Sequence, residues 1–250
     1  MEQNIYEVLY NVIFTYLNFY DKHTFQKLNK YTRKIHIKDL MEIDYKYLSI
    51  LDDKIVKQYK YATKLNARYN SEITNINHMI KLKELDAFAT CGISDGEMIN
   101  LNDLEKINAG YNQKIKNINC MKKLKVLNAC GSCGINDEGI IGLIDLEILN
   151  ASGNTKIINI NHMTKLKELY AYGSCGINDE GIINLHELEI LNANNNSKIT
   201  NINHMTKIKE LDANGSCGIN DEGIINLENL QRLYAANNSK ITKRKLRGKF

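Results

Sequence analysis

The chain repeats itself at a fixed interval. Leu82-x-x-Leu85-x-Ala87 returns as Leu104/Ile107/Ala109, Leu124/Leu127/Ala129 and Leu146/Leu149/Ala151. It continues as Leu166/Leu169/Ala171, Leu188/Leu191/Ala193, Ile208/Leu211/Ala213 and Leu230/Leu233/Ala235, and a weaker first copy is Ala62/Leu65/Ala67. The steps alternate between 20 and 22 residues, so the true unit is 42 residues made of two unlike coils. A sequence locked to this period does not close into one globule. Each coil has an apolar face that it cannot bury alone, and stacking shares that face with its neighbours.

The local pattern says what a coil contains. Alternation over Leu-x-Ala predicts a short strand with one face inward. The 20-residue coil then reads Asn-x-x-Ile-x-x-Ile-x-x-Met, as at Asn154, Ile157, Ile160 and Met163, or Asn196, Ile199, Ile202 and Met205. Apolar residues at steps of three suit a tight 3₁₀-like return rather than a long helix. The 22-residue coil reads Cys-Gly-Ile-Asn-Asp-Glu-Gly-Ile-Ile-x-Leu, from Cys133 to Leu143 and again from Cys175 to Leu185. Asn136 or Asp137 is placed to N-cap a short helix over Ile140, Ile141 and Leu143.

With Ala in the third apolar place, these copies resemble the leucine-rich repeat family, L-x-x-L-x-L-x-x-N/C, over about residues 62–250. The cysteine-bearing coil is similar to the repeats common in F-box proteins, at a shorter length. The fold this implies is α/β: a leucine-rich repeat solenoid of alternating 20- and 22-residue coils, with a parallel β-sheet on its concave face. Residues 62–239 carry the repeats and 240–250 form a basic tail. Residues 40–61 are either a helical connector or one further degenerate capping coil, since Leu40, Ile43 and Tyr45 stand 22 before Ala62, Leu65 and Ala67.

Residues 1–39 break the pattern. Leu9, Val12, Ile13, Tyr16 and Leu17 fall at helical spacing, a polar loop follows, and then come Phe25 and Leu28. The order Ile13-Phe14-Thr15-Tyr16-Leu17, Asp21, Phe25, Leu28 and Tyr31-Thr32-Arg33-Lys34 resembles an F-box. The resemblance implies a small helical head that docks on a Skp1-like adaptor of a cullin-type ubiquitin ligase. Its docking and packing residues would be Leu9, Ile13, Leu17, Phe25 and Leu28. Tyr6 stands where that family usually has proline, and Ile35 replaces a usual Trp. The other reading is a helical cap that seals the open end of the array.

Composition excludes several classes. The chain is 43% apolar and 25% charged, which is globular usage and not disorder. It has no proline, so proline-rich linkers and ligands are absent. The longest charge-free apolar stretch near the start, Val8 to Tyr20, includes Asn11 and Asn18 and is too short to span a bilayer. Glu2 and Glu7 precede it, which is not the basic start of a signal peptide. A cytoplasmic location with free thiols follows as the expectation. The net charge of +4 argues against nucleic acid as a partner.

That charge is uneven. Residues 1–61 hold 10 basic and 8 acidic groups, 62–239 hold 17 and 21, and the last eleven hold 6 and none. The run Lys243-Arg244-Lys245-Leu246-Arg247 resembles a nuclear-localisation signal. Its plainer reading is a solvated tail that blocks edge pairing.

The columns that stacking creates decide the chemistry. Cys91, Cys133, Cys175 and Cys217 recur every 42 residues. Two strand spacings separate them by about 10 Å, too far for a disulfide or a shared metal. They read as buried core thiols. Cys130 and Cys133 make a C-x-x-C only by coincidence, because Cys130 fills the variable place held elsewhere by Phe88, Tyr172 and Asn214. His78, His162 and His204 form a column with Cys120 in the same place, and the spacing again prevents shared ligation. His186-Glu187 lacks the second His of a zincin motif, since Ile190 occupies that position. No catalytic residue, metal or cofactor is expected, and the chain reads as a non-enzyme.

The outward strand positions are the candidate binding surface. One row is Asn66, Asp86, Asn108, Asn128, Asn150, Tyr170, Asn192, Asp212 and Tyr234. The next is Arg68, Phe88, Gly110, Cys130, Ser152, Tyr172, Asn194, Asn214 and Ala236. Repeated Asn at one height is expected to ladder amide to amide. Breaks in the rows are the candidates for recognition, because exposed Tyr, Phe and Arg are the usual interface anchors. The candidates are Phe88, Tyr170 and Tyr172, then Arg68, Tyr111 and Tyr234. The expected function is a monomeric adaptor that recruits an unknown target protein to a ubiquitin ligase. The alternative is a binding scaffold with a helical cap and no part in ubiquitination.

Overall fold

The computed structural model describes residues 37–41, 43 and 48–242, and singly Leu17, Asp21, Lys22 and Thr24. The chain divides into two units, Met1–Leu104 and Glu105–Phe250. Of the residues assigned to adaptor docking, Leu17 is described and is half-buried; Leu9, Ile13, Phe25 and Leu28 lie outside the described residues. The basic run Lys243–Arg247 also lies outside them.

In the first unit, strands β1 (Asp39–Leu40), β2 (Lys64–Asn66) and β3 (Glu84–Asp86) pair in parallel and in order. Leu65 lies across from Leu85, as the repeat predicts. Leu40, not Ile43, lies across from Leu65, which shifts the earliest coil by three residues from the register that spacing suggested. The cause is local. This coil carries a helical turn, α1 (Asp53–Val56), whose entry is fixed by the Asp52 carboxylate accepting from the Ile55 N–H at 2.7 Å. A 3₁₀ turn over Lys57–Tyr59 follows, so more chain is taken up before β2.

The second unit runs through β4 (Lys106–Asn108), β5 (Val126–Asn128), β6 (Ile148–Asn150), β7 (Glu168–Tyr170), β8 (Ile190–Asn192), β9 (Glu210–Asp212) and β10 (Arg232–Tyr234). Neighbours pair in parallel, with Leu127, Leu149, Leu169, Leu191, Leu211 and Leu233 in one register line. From β2 to β9 the middle residue of each strand is buried and its flanks are not, which is the period-2 pattern of a half-buried sheet. The alanine that ends each Leu-x-Ala sits at 0% exposure from Ala67 to Ala213. A larger side chain there would meet a core with no room for it.

Past the strand the two coil types differ. In the 20-residue coil a buried Asn staples adjacent turns. The Asn154 side-chain amide donates to the carbonyls of Ala129 (2.9 Å) and Ile135 (3.1 Å), and its oxygen accepts from the Lys156 N–H at 2.9 Å. Asn196 and Asn238 repeat this arrangement. In the 22-residue coil the matching place belongs to the buried cysteines. The residue after each cysteine approaches the previous coil so closely that only glycine fits. A Cβ on Gly176 would stand 2.5 Å from the carbonyl oxygen of Ile157.

The helix expected in the 22-residue coil is reduced to a single 3₁₀ turn, at Glu180–Ile182 and Glu222–Ile224. Asn178 and Asn220 accept from Gly181 and Gly223 at 3.0 and 2.8 Å, so asparagine provides the cap. Asp179 and Asp221 reach the next coil instead, accepting from the backbone N–H of Thr200 and Thr242 at 2.7 and 2.8 Å.

Charge alternates along the stack. In the second unit Lys125, Glu147, Lys167, Glu189 and Lys209 succeed one another from coil to coil. Lys125 lies 3.1 Å and Lys167 3.5 Å from Glu147, and Lys209 lies 2.5 Å from Glu189. A second row pairs Lys165 with Asp145 at 2.5 Å and Lys207 with Glu187 at 2.6 Å. In the first unit Lys64 bridges Asp39 and Glu84 at 3.6 and 3.5 Å. The Lys and acid places are set by the two coil types, so the signs alternate by construction.

Candidate protein-binding face

The residues that point away from the core are positioned by the strands and by the turns that leave them. The outward Asn row does not ladder amide to amide at Asn128, Asn150 and Asn192. Each side-chain oxygen accepts from the backbone N–H two residues on, at Cys130 (3.1 Å), Ser152 (3.0 Å) and Asn194 (3.1 Å). These bonds shape the strand exit, as asparagine side chains do in turns. Tyr170 and Tyr234 cannot make them, and a neighbouring coil substitutes: Ser152 accepts from the Tyr172 N–H at 3.4 Å, and Asn214 from the Ala236 N–H at 2.6 Å.

One place beyond the second row, nine coils have a residue with positive φ. Four are glycines, Gly131, Gly153, Gly173 and Gly215; the others are Tyr69, Ala89, Tyr111, Asn195 and Asn237. In the 20-residue coils this residue is third in a turn closed by the Asn N–H on the Ala carbonyl, as from Asn70 to Ala67 at 3.1 Å. Such a turn favours Gly or Asn at its third position. Two tyrosines there, at φ 56° and 57°, go against that preference.

In the first unit the structure brings Arg68 and Phe88 together, with a third residue that sequence reasoning missed. The Arg68 guanidinium lies 5.4 Å from the Phe88 ring and 5.6 Å from the Tyr69 ring. The two rings meet edge to face at 5.5 Å and 76°. Arg68 Nε is 3.8 Å from the Asp86 carboxylate and makes no hydrogen bond. Tyr69 is 50% exposed. Its signal in the sequence was the place it holds, which other coils give to Gly or Asn.

In the second unit the candidates are spread out. Tyr111 stands on the turn after β4, exposed, with its ring against Gly131. Tyr170 lies in β7, half-buried, and its hydroxyl donates to Glu168 at 3.1 Å. Burial first and Glu168 second push that hydroxyl's pKa up. Tyr172 follows, exposed, and Tyr234 is exposed in β10. The sites at β4, β7 and β10 are three strands apart, about 14 Å at the usual strand spacing. They are separate studs and not one cluster.

The cysteines and histidines occupy structural places. Cys91, Cys133, Cys175 and Cys217 are fully buried, and burial pushes the thiols of Cys133 and Cys175 up to about 11. Cys130 is half-buried, and burial raises it too. None is placed to form the thiolate that a redox or nucleophilic cysteine needs. His78, His162 and His204 each lie beside a carbonyl of the preceding coil, at Val56, Ile140 and Ile182 (3.2, 3.0 and 3.1 Å). Among the described residues no helix is long and apolar enough to cross a membrane.

No protein-family model and no curated protein sequence matches the chain. Solved structures do. An internalin, InlF, from Listeria monocytogenes aligns at TM-score 0.54 and 24% identity over 78% of this chain and 66% of its own length. Internalin C2 from the same organism aligns at 0.52 and 16%, over 91% and 96%. The leucine-rich repeat domain of APL1B aligns at 0.50 and 18%, over 78% and 61%. The chain thus spans just under two thirds of the InlF structure. Alternating coils, parallel in-register strands, the buried Asn and Cys columns and these likenesses agree on one architecture: the chain has the leucine-rich repeat fold.

Proposed function

We propose that this chain is a protein-binding scaffold whose outward strand face holds a target protein. The observation that carries the reading is the placement of Arg68, Tyr69, Phe88, Tyr111, Tyr172 and Tyr234. These are large side chains of the anchor-forming kinds, held in each unit on strands and turns that, up to β9, are packed on their other face. A surface already fixed in place loses little side-chain freedom on binding. The buried, protonated thiols support a non-enzymatic role.

The finer reading gives residues 1–39 to a Skp1-like adaptor, making the chain the substrate-recruiting F-box subunit of a cullin-type ubiquitin ligase in the cytoplasm or nucleus. It would raise the target's effective concentration near the ligase and do no chemistry itself. It rests on the F-box-like order of Ile13, Leu17, Phe25 and Leu28. A second reading, a cap on the array with no part in ubiquitination, is favoured by the burial of Ile37 and Leu40 at its start. Co-purification decides. If the full chain fails to retain Skp1, or retains it equally well without residues 1–37, the adaptor reading falls and the cap remains. Loss of solubility on that deletion, with no Skp1 binding to lose, is the cap's own signature.

A further inference from the structure

We propose that Arg68, Tyr69 and Phe88 form an anchor for the carboxylate of an Asp or Glu side chain on the target protein, flanked by an apolar residue. The proposal rests on the scaffold reading and names what one part of that face recognises.

Three observations carry it. The first is backbone strain. Tyr69 adopts φ 56° at a place where, of the eight other coils, four use glycine, two asparagine, one alanine and one tyrosine. An aromatic residue in that region is unfavourable, and such outliers concentrate at binding sites. The turn itself does not need the ring, which is half in solvent. The second is preorganisation. Arg68 lies beside a pair of rings, 5.6 and 5.4 Å from their centres, and the rings meet each other edge to face at 5.5 Å. A guanidinium packed beside two rings has lost part of its freedom before any partner arrives.

The third is the placement of the charge, with Nε inside and the rest of the side chain partly open. Arg68 Nε is removed from solvent with no hydrogen-bond partner. Asp86 stands 3.8 Å away, beyond hydrogen-bond length, so it orients the group without satisfying it. The side chain as a whole is 40% exposed, so part of it stays open to a partner. A planar fork of donors beside two aromatic rings matches a planar carboxylate, bound through two N–H···O bonds. The exposed face of Tyr69 would cover the carbon atoms beside it.

The test pans random phage-displayed peptides against the full chain. Selected peptides should be enriched in Asp or Glu. Their binding should fall about tenfold or more with Arg68→Gln and with Tyr69→Gly. Arg68→Lys should not rescue it, because an ammonium lacks the fork. Tyr69→Gly should melt at the same temperature as the parent or higher, because glycine relieves the strain. A lower melting temperature would make the ring a packing residue and overturn the assignment. Selected peptides without acidic enrichment, or ones that bind Arg68→Gln as tightly as the parent, overturn it as well. If such peptides instead lose binding with Tyr172→Ala, the scaffold reading survives alone. A library that yields no binder counts against both.

Discussion

The side-chain amide of Asn154 donates to the carbonyl of Ala129 at 2.9 Å, 25 residues earlier in the chain and one coil away in space. With Ile135 and Lys156 it closes three backbone groups of two coils in a buried setting, at 1% exposure. Asn154→Ala would leave these groups unpaired, at roughly 1–3 kcal/mol for each one that finds no water. The expected loss is about 2–4 kcal/mol in chemical unfolding. Asn154→Asp should lose at least as much, because an ionised carboxylate cannot donate to two carbonyls. A loss below about 0.5 kcal/mol for both would show that the column is not a staple.

Gly131 and Gly173 share a left-handed backbone but not their surroundings. A Cβ on Gly131 would stand 2.5 Å from the Tyr111 ring, whereas nothing lies within 4 Å of one on Gly173. Both alanine variants carry the left-handed penalty of about 1–2 kcal/mol. Gly131→Ala should cost measurably more, and Tyr111→Gly should cancel the excess. Thermal melts of the two single variants and the double variant check this. Equal losses for Gly131→Ala and Gly173→Ala would mean that the ring simply swings away.

The alternating rows should be felt at low salt. Glu147→Lys puts three lysines in succession, Lys125, the new side chain and Lys167. It should destabilise by roughly 0.5–1 kcal/mol in dilute buffer and by little in concentrated salt. The parent should lose stability in acid. Hydrogen bonds from Lys165, Lys125 and Lys209 hold Asp145, Glu147 and Glu189 below the ordinary 3.8 and 4.5 of such groups. A lowered folded value adds stability above the unfolded pKa, and that stability is lost as pH falls through the folded one. Melting temperature against pH should therefore drop below about pH 4, less steeply with added salt. A flat acid limb would remove the rows from the stability account.

The thiols should divide into classes. Cys120 is exposed and should react at once with a thiol reagent near pH 8, while Cys91, Cys133, Cys175 and Cys217 wait for unfolding. Burial raises Cys133 and Cys175 to about 11 from the ordinary 9.0. A raised acid pKa gives stability that is whole below the unfolded value and lost as pH climbs through the folded one. The alkaline limb should start near pH 9. Counting thiols released before and after denaturant checks the assignment. Prompt reaction of all six would sink it.

Much of this was legible because stacking copies one local pattern many times. Leu127 and Leu149 sit in register since each is the middle of Leu-x-Ala, and no long-range knowledge is needed. The first coil was not legible in the same way. The Asp52-capped turn adds chain between Leu40 and Leu65, and counting back by 22 lands on Ile43. Tyr69 was missed for a different reason. Its meaning depends on φ, and a position that demands positive φ is visible only once the turn from Ala67 to Asn70 is known. The charge rows were hidden by pooling. Lys165 and Asp145 vanish into a net total, yet they face each other.

The alternation of Lys and acid, and of buried Asn and Cys, bears on how such a gene can change length. Copying or losing a single coil would set like charges together at the joint, either lysine beside lysine with two cysteines in succession or acid beside acid with two asparagines. Copying or losing a pair restores every partner at the seam. A change of length that keeps these partners therefore comes in steps of 42 residues.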